Sequence, residues 1–499
     1  MLKRALNARV AEVLPDPTPL DRAPRLGARL GRPVLLKRED LTPVFSFKIR
    51  GAYNRMARFS PDERRAGAIA ASAGNHAQGV AFAAQRLGME CRIVMPRTTP
   101  AIKVRAVESL GARIELVGDD YADAAARATE IARESGMVLV PPYDDLDVIA
   151  GQATIALEIL HQAPRDLAAI FVPVGGGGLA AGVSSVVKEL RPEVRVFGVE
   201  PEDADAMARS LAEGRIVALD RVGIFADGVA VKQPGEHTFE LCRRYLDGVV
   251  VVSLDETCAA IKDVFEDTRS VLEPAGALAV AGLKHAARSG GLPDGPVVAV
   301  ASGANMNFAR LGYVTERAEV GEHHEAILAV TIPERPGSFL EFCSAVGERS
   351  ITEFNYRLSS RREAHVFVGL EVTGAEEAAA IARGLGRAGY PCTDLSDNDL
   401  AKSHVRHMVG GRADVCDETL FTFEFPERPG ALLQFLAGLG ARWNISLFHY
   451  RNHGAAFGRV LCGLEVPPAE RAELRARLDG LGFRYTEETE NPAGRLFLS

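Results

Sequence analysis

The sequence predicts a large α/β body built on parallel sheet, followed by two small α+β modules. Three observations carry this. Between residues 30 and 305, short apolar runs alternate with Ala-rich stretches of helical periodicity, the pattern of parallel strands covered on both faces. Three of those runs end in small-residue turns that open a helix. Beyond residue 326 the chain repeats itself, VTIPERPGSFLEFCSAVG (330–347) returning as FEFPERPGALLQFLAGLG (423–440).

The strands of the body are expected at 33–37, 67–72, 91–96, 112–117, 137–141, 168–174, 194–200 and 297–302. HAQGVAFAAQRLG (76–88) has helical spacing and ends at glycine. The opening MLKRALNARVAEVLPDP reads as one short amphipathic helix that stops before proline. In the repeat, FNYR (354–357) matches FHYR (448–451), and VFVGLEV (366–372) matches VLCGLEV (460–466). Each copy reads as strand, turn, helix and two strands, then a helical stretch. A module of this size is marginal alone, so the two copies are expected to bury each other's sheets. The polar segment 397–415 is the expected connector.

With 499 residues, 47% hydrophobic and 25% charged, the chain has the composition of a globular enzyme of two or three domains. A net charge of -8 argues against nucleic acid as a partner. Seven cysteines (91, 242, 258, 343, 392, 416 and 462) are scattered without a CxxC pair. That usage fits reduced thiols in a cytoplasmic protein, with neither a disulfide frame nor a zinc site. The uncharged run 167–187 contains a proline and four consecutive glycines, so it is a buried strand, loop and helix and no membrane span.

The chemistry is expected at the strand-end turns. GAIAAS runs into AGNH, IFVPV into GGGGLAAG and VVAVAS into GANMN. Ligands of open α/β sheets bind at carboxyl strand ends, where helix N-termini point outward. The glycines at 175–178 let backbone N–H groups converge on an anion, with a helix from Leu179 adding its dipole. They match neither GxGxxG nor GxxxxGK[ST], which disfavours dinucleotides and P-loop chemistry. Lys48, in FSFKIRGAYN (45–54), has two readings: a stem along a helix face with a solvated head, or a buried amine that deprotonates easily. A phosphate cradle together with a lysine in apolar surroundings points to pyridoxal phosphate, whose aldehyde condenses with a neutral amine.

SFKIRGA (46–52), SAGNHAQGVA (72–81), PVGGGGLAAG (173–182), EPAGALA (273–279) and SGANMNFARLGYVTER (302–317) follow in that order before the duplicated tail. In this the chain resembles the biosynthetic threonine dehydratases (threonine ammonia-lyases) of PLP fold type II, the tryptophan-synthase-β-like class. The resemblance implies a fold type II catalytic domain with two parallel-rich sheets over 1–322, and ACT-like regulatory modules over 326–397 and 419–490. It makes Lys48 the lysine that joins the cofactor, Gly175, Gly176, Gly177, Gly178 and Leu179 the phosphate loop, Asn75 the partner of the phenolic oxygen and Ser302 that of the ring nitrogen. Asn75 as a helix cap and Ser302 as a tight strand exit remain open beside those roles. Ser72, Ala73 and Gly74 would receive the substrate carboxylate, with Asp227, Gly228 and Glu273 nearby.

The implied reaction is elimination of water from L-threonine, with L-serine as a second candidate substrate and Lys48 taking the Cα proton, followed by hydrolysis of the resulting enamine to a 2-oxo acid and ammonia. A weakly acidic serine at the ring nitrogen limits diversion into transamination. Racemase relatives tend to carry a serine base where Ala73 stands. Isoleucine as inhibitor, valine as opposing effector and a homotetramer are also implied. Pro336 with Gly337, and Pro429 with Gly430, would shape the effector turns. His76 and the pair His323–His324 read as structural, and no metal site is assigned. A serine dehydratase, threonine synthase or racemase is the alternative, and a non-catalytic amino-acid sensor the reading from another class.

Overall fold

The computed structural model describes residues 1–308, 310–321, 325–333, 341–342, 345–346, 351–357, 363–407, 417–426, 435, 438–439, 442–451 and 457–498. They form two compact units, Met1–Ala318 and Glu319–Ser499. His323, His324 and the turn residues Pro336, Gly337, Pro429 and Gly430 lie outside the described residues.

The first unit holds ten strands: β1 (Leu20–Arg22), β2 (Val34–Arg38), β3 (Ala68–Ala71), β4 (Cys91–Met95), β5 (Arg113–Leu116), β6 (Val138–Leu139), β7 (Ala169–Pro173), β8 (Arg195–Pro201), β9 (Gly248–Val252) and β10 (Val297–Ala301). One sheet runs β1-β2-β10-β7-β8-β9 and the other β5-β4-β3-β6. Every pairing is parallel except β1 with β2. All eight expected strands are present, and β1 and β9 are additional.

Side chains alternate across the larger sheet with a period of two. Leu36, Phe171, Val297 and Ala299 pack with the helix Pro274–Arg288 on one face. Leu35, Ile170, Val172 and Val298 pack on the other with the helices Leu146–Gln162 and Gly178–Leu190. Both faces are apolar because both are covered, which is why these strands read as unbroken hydrophobic runs. The opening segment departs from expectation. It is a helix, Leu2–Leu6, and a separate 3-10 turn, Arg9–Glu12. Asn7 breaks it by returning its side-chain amide to the Lys3 carbonyl, 2.7 Å away.

The second unit contains β11 (Glu325–Pro333), β12 (Ile351–Arg357), β13 (Glu363–Glu371), β14 (Cys392–Asp394), β15 (Glu418–Pro426), β16 (Asn444–Arg451), β17 (Phe457–Glu465) and β18 (Arg484–Glu487). They make two antiparallel sheets of identical topology, β12-β13-β11-β14 and β16-β17-β15-β18. The repeat extends to a register irregularity in the same place, between Ile351 and Glu353 and between Ile445 and Leu447. The strands β14 and β18 were not in the sequence-based expectation. The connector is also less polar than expected: a helix, Asp399–Ser403, and a 3-10 turn, Val405–His407, bury Leu400, Ala401 and Val405. Among the described residues no helix is long and apolar enough to cross a membrane.

Candidate active site

The site assembles where β2, β3, β7 and β10 end. After β2 the chain turns back along the exit of β10: Ser46 bridges Gly303, and the Phe47 N–H donates to the Ser302 carbonyl at 3.2 Å. Lys48 then opens the helix Lys48–Met56. Behind it runs the helix Asn75–Leu87, whose Gly79 comes so close that a Cβ there would lie 3.1 Å from the Lys48 carbonyl. The Lys48 amine does not reach out as a solvated head. Its Nζ donates to the Pro142 carbonyl at 2.8 Å and sits 5.3 Å from the Phe47 ring centroid. Burial pulls its pKa down to about 8, opposed in part by the Glu273 carboxylate.

The glycines that follow β7 are dictated by the protein behind them. A Cβ at Gly176 would fall 2.3 Å from the Tyr143 ring, and one at Gly175 2.9 Å from Val229. Gly177 has φ +94° and caps the helix Gly178–Leu190, which no side chain caps. The Gly176 carbonyl accepts from Thr238 Oγ1 at 2.6 Å, and the Gly177 carbonyl faces the Cys242 thiol. In trans peptides the N–H groups of Gly177 and Gly178 therefore point the opposite way. With the helix's unpaired first-turn donors they form a ready anion cradle. The helix starts at Gly178, one residue before the expected Leu179.

Asn75 is the first residue of its helix, and its side chain does no capping. Its Nδ2 donates to Glu273 Oε1 at 2.5 Å, and its Oδ1 accepts from Asn305 Nδ2 at 2.8 Å. One amide hydrogen of Asn75 is left for a ligand. Gly303 and Gly228 complete this corner, since a Cβ at Gly303 would lie 2.4 Å from Glu273 Oε1. Burial raises the Glu273 carboxyl to about 7, with Asp227 adding to the rise. Burial would lift Asp227 too, but Lys103 (2.5 Å) and Arg310 (3.5 Å) hold it at about 2. Ser302 is buried, and its Oγ lies 3.4 Å from the Ala275 carbonyl.

Ser72, Ala73 and Gly74 form the partly buried loop after β3. Ser72 Oγ accepts from the Gly74 N–H at 3.3 Å, and a Cβ at Gly74 would meet no atom within 4 Å, so the loop borders open space. His76 is buried, with its Nε2 2.8 Å from the Val140 carbonyl. Burial and the nearby Lys48 lower its pKa to about 3, so it is a neutral packing residue. Among the described residues no cluster of three or more His, Cys, Asp or Glu could hold a metal.

Sequence reasoning missed the segment Pro142–Asp145, which joins the lysine to the glycine turn. Pro142 receives the Lys48 amine, and Tyr143 backs Gly176 and Gly178. Asp144 accepts from the first N–H groups of the helix Glu236–Tyr245 and so places Thr238 against Gly176. Asp145 caps the helix Leu146–Gln162. Two prolines followed by Tyr-Asp-Asp at a strand exit were the available signal. A partly buried amine of lowered pKa and an uncapped helix N-terminus, joined through Pro142–Tyr143, fit an aldehyde that carries a phosphate. Lys48, Asn75 and Ser302 would hold its ring end, and Gly175–Leu179 its phosphate.

Comparison with known proteins agrees with this chemistry. Residues 12–303 match the family of pyridoxal-phosphate dependent enzymes. Residues 316–405 and 409–498 each match the C-terminal regulatory domain of threonine dehydratase. The biosynthetic L-threonine dehydratase of Burkholderia multivorans is 56% identical over 502 residues, covering 100% of this chain and 99% of that protein. Its counterpart from Escherichia coli is 50% identical over 500 residues, covering 100% and 97%. The solved structure of processed threonine deaminase isoform 2 from Solanum lycopersicum superposes with a TM-score of 0.62 at 47% identity, over 64% of this chain and 87% of that one. Serine racemase from Dictyostelium discoideum reaches 0.57 at 30% identity, over 62% and 99%. The chain belongs to the pyridoxal-phosphate-dependent enzymes, among the biosynthetic threonine dehydratases that end in a duplicated regulatory domain.

Proposed function

We propose that this chain converts L-threonine to 2-oxobutanoate and ammonia, the committed step toward isoleucine, and that isoleucine restrains it through the second unit. The observation that carries the reading is the amine of Lys48, held by Pro142 beside the glycine turn and lowered to about 8. Bound there, pyridoxal phosphate supplies the electron sink that makes a substrate Cα–H acidic. Lys48 is then the base, taking the Cα proton at Nζ. Ser72, Ala73 and Gly74 would receive the substrate carboxylate through the Ser72 hydroxyl and loop N–H groups other than that of Ser72, which bonds to the Val94 carbonyl. Asn75 would hold the phenolic edge of the cofactor, and Ser302, a weak acid, would stand at its ring nitrogen.

The racemase fold neighbours make racemisation the competing outcome, and Ala73 weighs against it. Its methyl group cannot return a proton from the opposite face. The proposed assembly is a cytoplasmic homotetramer with a catalytic part over 1–322 and effector modules over 326–397 and 419–490. Valine would oppose isoleucine there.

Formation of 2-oxobutanoate from L-threonine, with and without isoleucine, tests the function, and L-serine in parallel tests the substrate range. Borohydride reduction and peptide mapping should place the cofactor label on Lys48, and Lys48→Ala should fold yet turn nothing over. A label elsewhere, or sustained turnover by Lys48→Ala, sinks the assignment.

A further inference from the structure

We propose that Arg50 is a positioning residue for Lys48: a buried cluster of two cations and two carboxylates, closed by Thr18, sets the register of the helix that the lysine opens. The inference rests on Lys48 being the cofactor lysine. Arg50 and Lys37 are among the largest fully buried side chains of the protein, and Glu39 is buried with them. Arg50 forks onto Glu39 through Nε and Nη2, both at 2.8 Å. It forks again onto Glu158 through Nη1 at 2.5 Å and Nη2 at 3.0 Å, and Nη1 also reaches Thr154 at 3.0 Å. Lys37 spends its three donors on Glu158 (2.6 Å), Gln162 (2.8 Å) and the Thr18 carbonyl (2.7 Å). Thr18 Oγ1 donates to Glu39 at 2.6 Å and lies 3.2 Å from Arg50 Nη2.

Burying two ion pairs need not stabilise a fold, because desolvation offsets the attraction and apolar side chains of equal volume serve as well. A guanidinium bonded on both edges does something apolar packing cannot, which is to fix direction. The helix it fixes is short, and no side chain caps its start at Phe47. Its backbone is instead keyed to the helix Leu146–Gln162. The Gly51 N–H donates to Gln152 Oε1 at 3.2 Å, and a Cβ at Gly151 would lie 2.6 Å from the Gly51 Cα. Glu158 and Thr154 stand on that same partner helix, whose N-terminus is Asp145, next to the Pro142–Tyr143 pair that meets the Lys48 amine and the glycine loop. Arg50 thus locks the element that carries the amine to the helix that follows the Pro142–Tyr143 segment behind the phosphate cradle.

Arg50→Lys keeps the charge and loses the fork. Thr18→Val removes only the hydroxyl that touches Glu39, Arg50 and Glu158. Both full-length chains, loaded with pyridoxal phosphate, are compared with wild type for kcat and KM per bound cofactor, for the pH titration of the cofactor's visible absorbance, and for thermal midpoint. Arg50→Lys should lower kcat by about tenfold or more, with Thr18→Val smaller in the same direction. KM for threonine should stay within about twofold, because the carboxylate loop Ser72–Gly74 belongs to another element. The absorbance titration should move by about half a pH unit or more as the amine's surroundings change. A lower thermal midpoint with unchanged kcat per cofactor and an unchanged titration would show a purely structural cluster and overturn the proposal. If Arg50→Lys fails to fold, Thr18→Val decides by the same readouts. Borohydride labelling of the wild type is the separate control: absence of label at Lys48 removes the function assigned to that residue, whereas label there with normal variants removes only this inference.

Discussion

Glu273→Gln offers a quantitative test of the site's electrostatics. The carboxyl is buried, accepts from Asn75 at 2.5 Å, and is raised from its ordinary 4.5 to about 7 by burial first and Asp227 second. That displacement corresponds to about 3 kcal/mol of preference for the neutral acid. A carboxyl that holds its proton more tightly in the folded state makes folding take up protons between pH 4.5 and 7. Stability of the cofactor-free protein should therefore fall as pH rises through that window, by at most about 1.4 kcal/mol per pH unit, and level off above 7. Glutamine cannot titrate, so the difference between wild type and Glu273→Gln isolates this one group from every other carboxylate. Urea unfolding of both proteins at half-unit steps from pH 4.5 to 8 gives the curve. A flat difference, or one that climbs with pH, would mean that the carboxyl is not desolvated in the fold and that its contact with Asn75 is between ordinary charged and neutral partners.

Three further outcomes follow from the geometry. Gly176→Ala drives a methyl group to 2.3 Å from the Tyr143 ring; it should cost the first unit about 1–3 kcal/mol and weaken pyridoxal phosphate binding, measured by equilibrium titration, whereas Gly74→Ala, which faces open space, should leave stability near wild type. Covalent capture of pyridoxal phosphate followed by stopped-flow absorbance should speed up about tenfold per pH unit below 8 and flatten above it, because only the neutral Lys48 amine attacks; a rate independent of pH from 6 to 9 would contradict the lowered pKa. Phe367→Ala empties a fully buried site in the second unit and should cost that unit about 3–5 kcal/mol, visible as an earlier calorimetric transition with the first unit's transition unmoved.

The sequence announced the strands that are apolar on both faces and the turns at their ends, because burial and turn chemistry are local signals. It did not announce β1, a three-residue strand (Leu20–Arg22) of mixed polarity that exists by pairing with β2. GVVVV at β9 carried a strand signal that went unread. The run KRED (37–40) carries four charges, and all four side chains are buried. In β2 successive side chains leave opposite faces, so Lys37 joins the cluster at Glu158 while Arg38 pairs with Asp40 and Asp21 on the far side. Apart from Asp40, partners for these two side chains come from residues 18, 21, 158, 162 and 270, and no local pattern foretells such distant pairing. For the same reason Lys48, Asn75, the glycines and Ser302 were legible as motifs, while Glu273's bond to Asn75 and the Pro142–Asp145 segment were not.

The duplication in the tail has a physical reason that the strand alternation exposes. In β11, Ala326, Leu328, Val330 and Ile332 point into the module's own core, while Ile327 and Ala329 point the other way. In β15, Phe421 and Phe423 point inward and Leu420 outward. The outward residues meet: Ile327, Ala329 and Phe367 of the first copy pack with Leu420, Leu461, Ala493 and Phe497 of the second, together with Leu400, Ala401 and Val405 of the connector. Phe367 and Leu461 occupy matching places in the two copies, so each sheet offers the same apolar stripe to its twin. A lone module would leave that stripe in water, and a sheet apolar on both faces needs a cover on each. The connector's buried residues lie in the seam itself, so the two copies form one folding unit in which a change of packing in either module is felt by the other.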